Sequence, residues 1–148
     1  MMKKITLLML TILVAGILLL TSCSSKNVTV RVLDAEGKVI CEETVKLGEE
    51  NPDSITGETF YGIDCLEAAL KKAKIEYYIN KEDYEAFALT NVGDIACDKT
   101  NQFVYYVKYD GAKEFKNMNG LTAQHDEMEG GEILEFRFEA LPEKEQNK

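Results

Sequence analysis

Polar and apolar residues alternate along much of this chain, and the alternation places its strands. Val28, Val30 and Val32 are separated by Thr29 and Arg31, a turn follows at Asp34-Ala35-Glu36-Gly37, and a second alternating run extends from Val39 to Val45. A period of two sets the apolar residues on one face of a pleated strand, so the two runs and their turn predict a β-hairpin. Leu47 to Ile63, broken by Asn51-Pro52-Asp53 and Gly57, reads as a long connection. Asp64 then opens a predicted helix with Glu67 three residues on, an Asp variant of the capping box, and Leu66, Ala69, Leu70 and Ala73 recur at helical spacing. A single apolar stripe predicts packing on a sheet through one face. Beyond the helix the pattern predicts a short strand at Tyr77-Tyr78-Ile79, another from Tyr84 to Thr90, a strong one from Phe103 to Tyr109, a turn at Asp110-Gly111 and a last strand from Ile133 to Phe138. The expected fold is α+β, an antiparallel sheet layer with one packed helix. Its core is drawn from Val30, Val32, Leu66, Leu70, Tyr105, Val107, Leu134 and Phe136, enough for the domain to fold alone as a monomer.

The N-terminus follows a different pattern. Lys3 and Lys4 precede an uncharged stretch whose apolar part runs from Ile5 to Leu20, shorter than the roughly 20 residues that span a hydrocarbon core. Leu20-Thr21-Ser22-Cys23 follows directly. Basic start, apolar run and small residues before a Cys resemble a bacterial lipoprotein signal, which implies cleavage after residue 22 and lipidation of Cys23. The expected organisation is a signal peptide over 1–22, the lipidated Cys and a short tether over 23–27, one domain over 28–140 and a disordered charged tail over 141–148. A tether this short spans at most about 15–18 Å, which holds the domain close to the bilayer on the extracytoplasmic side of the cell membrane.

Composition narrows the partners. The chain has 148 residues, a formal net charge of −9 and only two Arg, so it lacks the basic face that nucleic acid requires. Beyond Cys23 there remain Cys41, Cys65 and Cys97. None has the spacing of a metal or redox pair, and the favoured reading is three reduced, half-buried apolar positions rather than a structural disulfide.

Four segments carry a resemblance. The hairpin, the helix start Ile63-Asp64-Cys65-Leu66-Glu67-Ala68-Ala69-Leu70, the strand and turn Val104-Tyr105-Tyr106-Val107-Lys108-Tyr109-Asp110-Gly111, and the closing Gly130-Gly131-Glu132-Ile133-Leu134-Glu135-Phe136 together resemble the transcobalamin-like C-terminal domain, over Val28 to Ala140. The resemblance implies a β-grasp-like fold and contact with one face of a corrinoid. It departs from the family pattern in having no Trp, with Phe103 nearest that place, and Lys108-Tyr109-Asp110 ahead of Gly111. The helical barrel that holds the other face of the ligand is also absent, so corrinoid binding is expected to be weak.

Candidate chemistry beyond this is thin. His125-Asp126-Glu127 with Glu129 and Glu132 is an acidic loop without the spacing of a calcium site, and reads as solvated. Glu49, Glu50 and Asp53 are carboxylates in a domain too small for a glycosidase cleft. No nucleophile elbow or phosphate-binding loop occurs, so the chain is expected to be no enzyme, with no cofactor and no metal. The aromatic supply is the remaining lead, seven Tyr and six Phe. On the strong strand, Phe103, Tyr105, Val107 and Tyr109 share the expected core face, while Val104, Tyr106 and Lys108 share the wetter one. The ligand-binding candidates are Phe103, Tyr106 and Lys108. Two functions follow as expectations: a non-catalytic module binding a corrinoid or another small molecule for a membrane transporter, or a protein-interaction module docking on a membrane complex or cell-wall material.

Overall fold

Val28, Val30 and Val32 are fully buried, and the strand that carries them lies next to the centre of the larger of two sheets. In the computed structural model, residues 26–54, 56–82, 88–118 and 123–142 are described. The signal segment, Cys23, the first half of the expected Tyr84 strand and the tail beyond Pro142 lie outside them. The elements are β1 (Asn27–Leu33), β2 (Val39–Lys46), α1 (Gly62–Ala73), β3 (Tyr77–Asn80), β4 (Ala88–Val92), β5 (Ile95–Ala96), β6 (Asn101–Lys108), β7 (Lys116–Asn117) and β8 (Ile133–Ala140).

The described residues are mostly sheet with one short helix, as the α+β expectation holds, but the larger sheet is mixed rather than a single antiparallel layer. Its order is β2-β1-β8-β6-β7, and β1 runs parallel to β8 in register Val30 with Leu134 and Val32 with Phe136. Period-two patterning gives a strand's faces but not the direction of its neighbour, which is why this pair escapes the sequence. A second sheet, β3-β4-β5, is antiparallel and contributes Ile79, Leu89 and Val92 to the core. All eight expected core residues are buried.

The helix begins two residues before the expected start. Tyr61 occupies the N-cap position and Asp64 sits at the third helical position, where its Oδ2 accepts the Tyr61 amide at 3.0 Å and the Phe60 amide at 3.3 Å. Asp64 is thus the acidic half of a capping box rather than the cap itself. Burial raises its carboxyl above the usual range, with those two amides working in the opposite sense. Leu66, Ala69 and Leu70 are fully buried, and α1 lies over β2 and β1. It ends at Lys74 in the left-handed conformation, with the Ile75 amide bonded to the Leu70 carbonyl at 3.0 Å.

The three thiols are free, with Cys41 and Cys65 buried rather than half-buried and Cys97 intermediate. Cys97 joins the two sheets: its Sγ–H donates to the Leu89 carbonyl on β4 at 3.3 Å, and the sulfur accepts the Phe103 amide of β6. Among the described residues no helix is long and apolar enough to cross a membrane.

Candidate functional site

Because α1 covers one face of the five-stranded sheet, the odd positions of β1 and β8 and the even positions of β6 look the other way. One row of register crosses the whole sheet there: Glu42 on β2, Arg31 on β1, Glu135 on β8, Tyr106 on β6 and Asn117 on β7. The two Arg of the chain, Arg31 and Arg137, both reach Glu135. Arg31 donates through Nε to Glu42 Oε2 at 2.5 Å and lies 3.4 Å from Glu135 Oε1 through Nη1. Arg137 donates through Nε and Nη2 to Glu135 Oε2 at 2.8 and 2.6 Å. The Glu135 side chain is only 7% exposed, yet it keeps two cationic partners, the arrangement a carboxylate requires when it leaves water.

Arg137 then lies across Tyr106, its guanidinium carbon 4.0 Å from the ring centroid and 5.2 Å from that of Phe115. Burial raises the Tyr106 hydroxyl above its ordinary value, and the Glu139 carboxylate that accepts it adds to the shift. The Glu42 carboxylate holds the Arg31 guanidinium protonated still more firmly than usual. Tyr106, Arg137, Glu135 and Arg31 therefore form a linked polar and aromatic row on this face of the sheet.

Of the residues expected to bind ligand, Tyr106 and Lys108 share this face, both half-buried. Phe103 does not join them. It points to the helix side and meets Phe138, with ring centroids 5.1 Å apart and planes tilted by 56°. The even-odd alternation of β6 is the physical reason, and it separates the three candidates into two groups. Cys23 lies outside the described residues. The Arg31, Glu135 and Arg137 cluster was missed because its members are scattered along the chain, although both Arg standing on polar strand positions is a signal the sequence holds.

The acidic loop is not simply solvated. Glu132 is buried and accepts the amides of Glu129 and Gly130 at 2.9 and 2.8 Å. Asp126 accepts the hydroxyls of Tyr105 and Tyr109 at 2.8 and 3.3 Å, and its carbonyl accepts the Gly62 amide at the start of α1 at 2.9 Å. Tyr109, expected on the core face, is instead 38% exposed. His125 is exposed, and Asp53 pairs with Lys71. Among the described residues no group of three or more His, Cys, Asp and Glu could hold a metal ion. A groove of about 570 Å³ lies between β2 and α1, lined by Thr44, Lys46, Glu49, Thr59, Ala68 and Lys72 among others, with no aromatic side chain.

No family model and no curated protein matches this chain.

Proposed function

We propose that the protein is a lipid-anchored extracytoplasmic lipoprotein whose domain is a non-catalytic docking module, meeting a protein partner at the membrane through the face of the five-stranded sheet opposite α1. One observation carries the reading: Tyr106, Arg137, Glu135 and Arg31 are joined by ion pairs and a cation–π contact on one face of the sheet. Arg and Tyr are the residues that concentrate binding energy at interfaces, and side chains already fixed lose little entropy on docking. The lipoprotein part rests on Lys3, Lys4, the apolar run and Cys23.

The order β2-β1-β8-β6, with the first and last strands parallel at the centre and the helix following the hairpin, supports a β-grasp reading and with it the resemblance to the transcobalamin-like domain. That order also favours the second reading, a corrinoid or other small molecule bound for a transporter. Against it stand the groove without aromatic lining and Phe103 on the face opposite Tyr106 and Lys108.

The test is cross-linking of the full chain in its own membranes, with partners identified by mass spectrometry, for wild type and for Arg137→Ala and Tyr106→Ala. A defined partner whose recovery falls about 30-fold or more in Arg137→Ala is expected. Equal recovery from all three chains overturns the docking face. Calorimetric titration with cobalamin and cobinamide decides the second reading, and a submicromolar dissociation constant lost in Tyr106→Ala establishes it.

A further inference from the structure

The two edges of the five-stranded sheet are finished differently. Along the outer side of β6, the Asn101 carbonyl accepts the Asp98 amide at 3.0 Å, the Phe103 amide meets the Cys97 sulfur, and the Tyr105 carbonyl accepts the Met118 amide at 3.1 Å. β7 pairs with Tyr106 and Val107. That edge is used. On the other side stands β2, eight residues long, whose one strand neighbour among the described residues is β1.

Which of its backbone groups face outward follows from the ladder. The Leu47 amide donates to the Lys26 carbonyl at 2.7 Å, and the register continues with Val28 opposite Val45 and Val30 opposite Glu43. In an antiparallel pair the bonded positions alternate, so Cys41, Glu43 and Val45 bond to β1 while Glu42, Thr44 and Lys46 turn amide and carbonyl outward. The outward Thr44 carbonyl holds the Lys72 ammonium at 3.0 Å. At Gly48 the edge closes again, its amide donating to the Thr59 carbonyl at 3.0 Å. Among the described residues, Glu42 to Lys46 is therefore a short edge that no strand covers.

We propose that this edge docks a second copy of the chain, β2 pairing with β2 of the other molecule in antiparallel about Thr44. An isologous contact must suit itself, and the charges choose the centre. Centring on Glu42, Glu43 or Lys46 sets a like charge directly against itself, which destabilises cross-strand pairing. Centring on Val45 demands the Gly48 edge that Thr59 already occupies. Centring on Thr44 puts Glu42 opposite Lys46 on both sides of the two-fold axis, and Thr44 bonds reciprocally to Thr44. Glu42 uses Oε2 for Arg31, and Oε1 is the oxygen proposed to take the incoming Lys46. The partner's Thr44 amide replaces the Lys72 ammonium on the carbonyl, and Lys72 retains Glu43 at 2.8 Å. The result is one sheet continuous through two molecules, a dimer where the sequence alone led to a monomer.

Facing residues of a bonded antiparallel pair have Cα atoms about 5.5 Å apart, within disulfide reach. Glu42 of one copy lies about 14 Å from Glu42 of the other, outside it. Full chains bearing Glu42→Cys and Lys46→Cys are purified in detergent and oxidised with copper phenanthroline, separately and mixed. A dimer band in the mixture and none in either chain alone is expected. Thr44→Pro, tolerated because the lost amide is not bonded to β1, removes that band with the circular dichroism unchanged. A parallel arm uses sedimentation without added cysteines: Glu42→Lys or Lys46→Glu alone weakens association by at least about tenfold, and the doubly reversed chain recovers it. No band in the mixture, equal bands in the separate chains, a band that survives Thr44→Pro, or association indifferent to charge reversal each overturns the proposal.

Discussion

Tyr105, on β6, donates its hydroxyl to Asp126 at 2.8 Å, and through Asp126 it fixes the start of α1, because the carbonyl of the same residue accepts the Gly62 amide. Burial pushes the Tyr105 hydroxyl far above its ordinary value and the nearby Asp126 carboxylate pushes it further, so it stays a donor at any ordinary pH. Tyr105→Phe keeps the ring stacked on Phe136, whose centroid is 5.0 Å away, and removes only the bond. A loss of about 1.5–3 kcal/mol is expected, since the acceptor is charged. The urea midpoint measures it, and an unchanged midpoint counts against the role given to this pair.

Gly62→Ala acts on the same junction from the helix side. A Cβ there stands 2.9 Å from the Tyr105 hydroxyl and 3.2 Å from the Ala123 carbonyl, which is backbone and bonded to the Ile63 amide. Overpacking of about 1–3 kcal/mol is expected. Combined with Tyr105→Phe the cost falls below the sum of the two, because the clashing oxygen is gone; a double-mutant cycle in urea reads the difference.

The sheet was legible in the sequence wherever periodicity is long enough to show. β1, β2, β6 and β8 and the stripe of α1 satisfy that condition, and their core residues are buried as expected. β5 and β7 have two residues each, too few to carry a period. Asp64 was legible as a capping residue but not as the third helical position, since Tyr61 at the N-cap gives no signal of its own. Of the site, Tyr106 and Lys108 were found from strand alternation. The Glu135 cluster depends on which strands become neighbours, and that information lies in the tertiary fold.

Acid should weaken the domain partly through Asp98. Four hydrogen bonds from Thr100 and Asn101 converge on Asp98 Oδ1, and they hold its carboxyl down at about 2 against an ordinary 3.8. A depressed carboxyl gives stability that is complete above the unfolded value and is lost as pH falls from about 4 toward 2. Asp98→Asn keeps an acceptor oxygen without the charge, so its urea midpoint should fall less steeply over that interval than that of wild type. Parallel curves would sink the assignment.

Without reductant, denatured protein should titrate three thiols, Cys41, Cys65 and Cys97. In the folded state Cys97 should react first with Ellman's reagent. Cys65 should be slowest, because burial pushes its thiol up and the Asp64 and Glu132 carboxylates add to that. Fewer than three thiols in denaturant means a disulfide and contradicts the three free cysteines of the fold.

Cys23→Ser is the test of the anchor. The expected result is precursor-sized protein that is no longer processed to the mature length. A variant that still runs at mature size and stays wholly with the membrane excludes lipidation at Cys23.

The parallel pairing of β1 with β8 has a consequence for how the domain is made. Val32 lies beside Phe136, so the first strand waits for nearly the last before it gains its inner neighbour. β6 likewise waits for β8 along its whole length. Contacts between distant parts of a chain close slowly, because the loop entropy is lost before the contact rewards it. A nascent chain that ends before Ile133 thus holds the β1–β2 hairpin, α1, the small sheet and the β6–β7 pair, with the inner edges of β1 and β6 open and Tyr105 without its stacking partner Phe136. Until β8 arrives, the polypeptide is a client for whatever keeps unfolded chains apart.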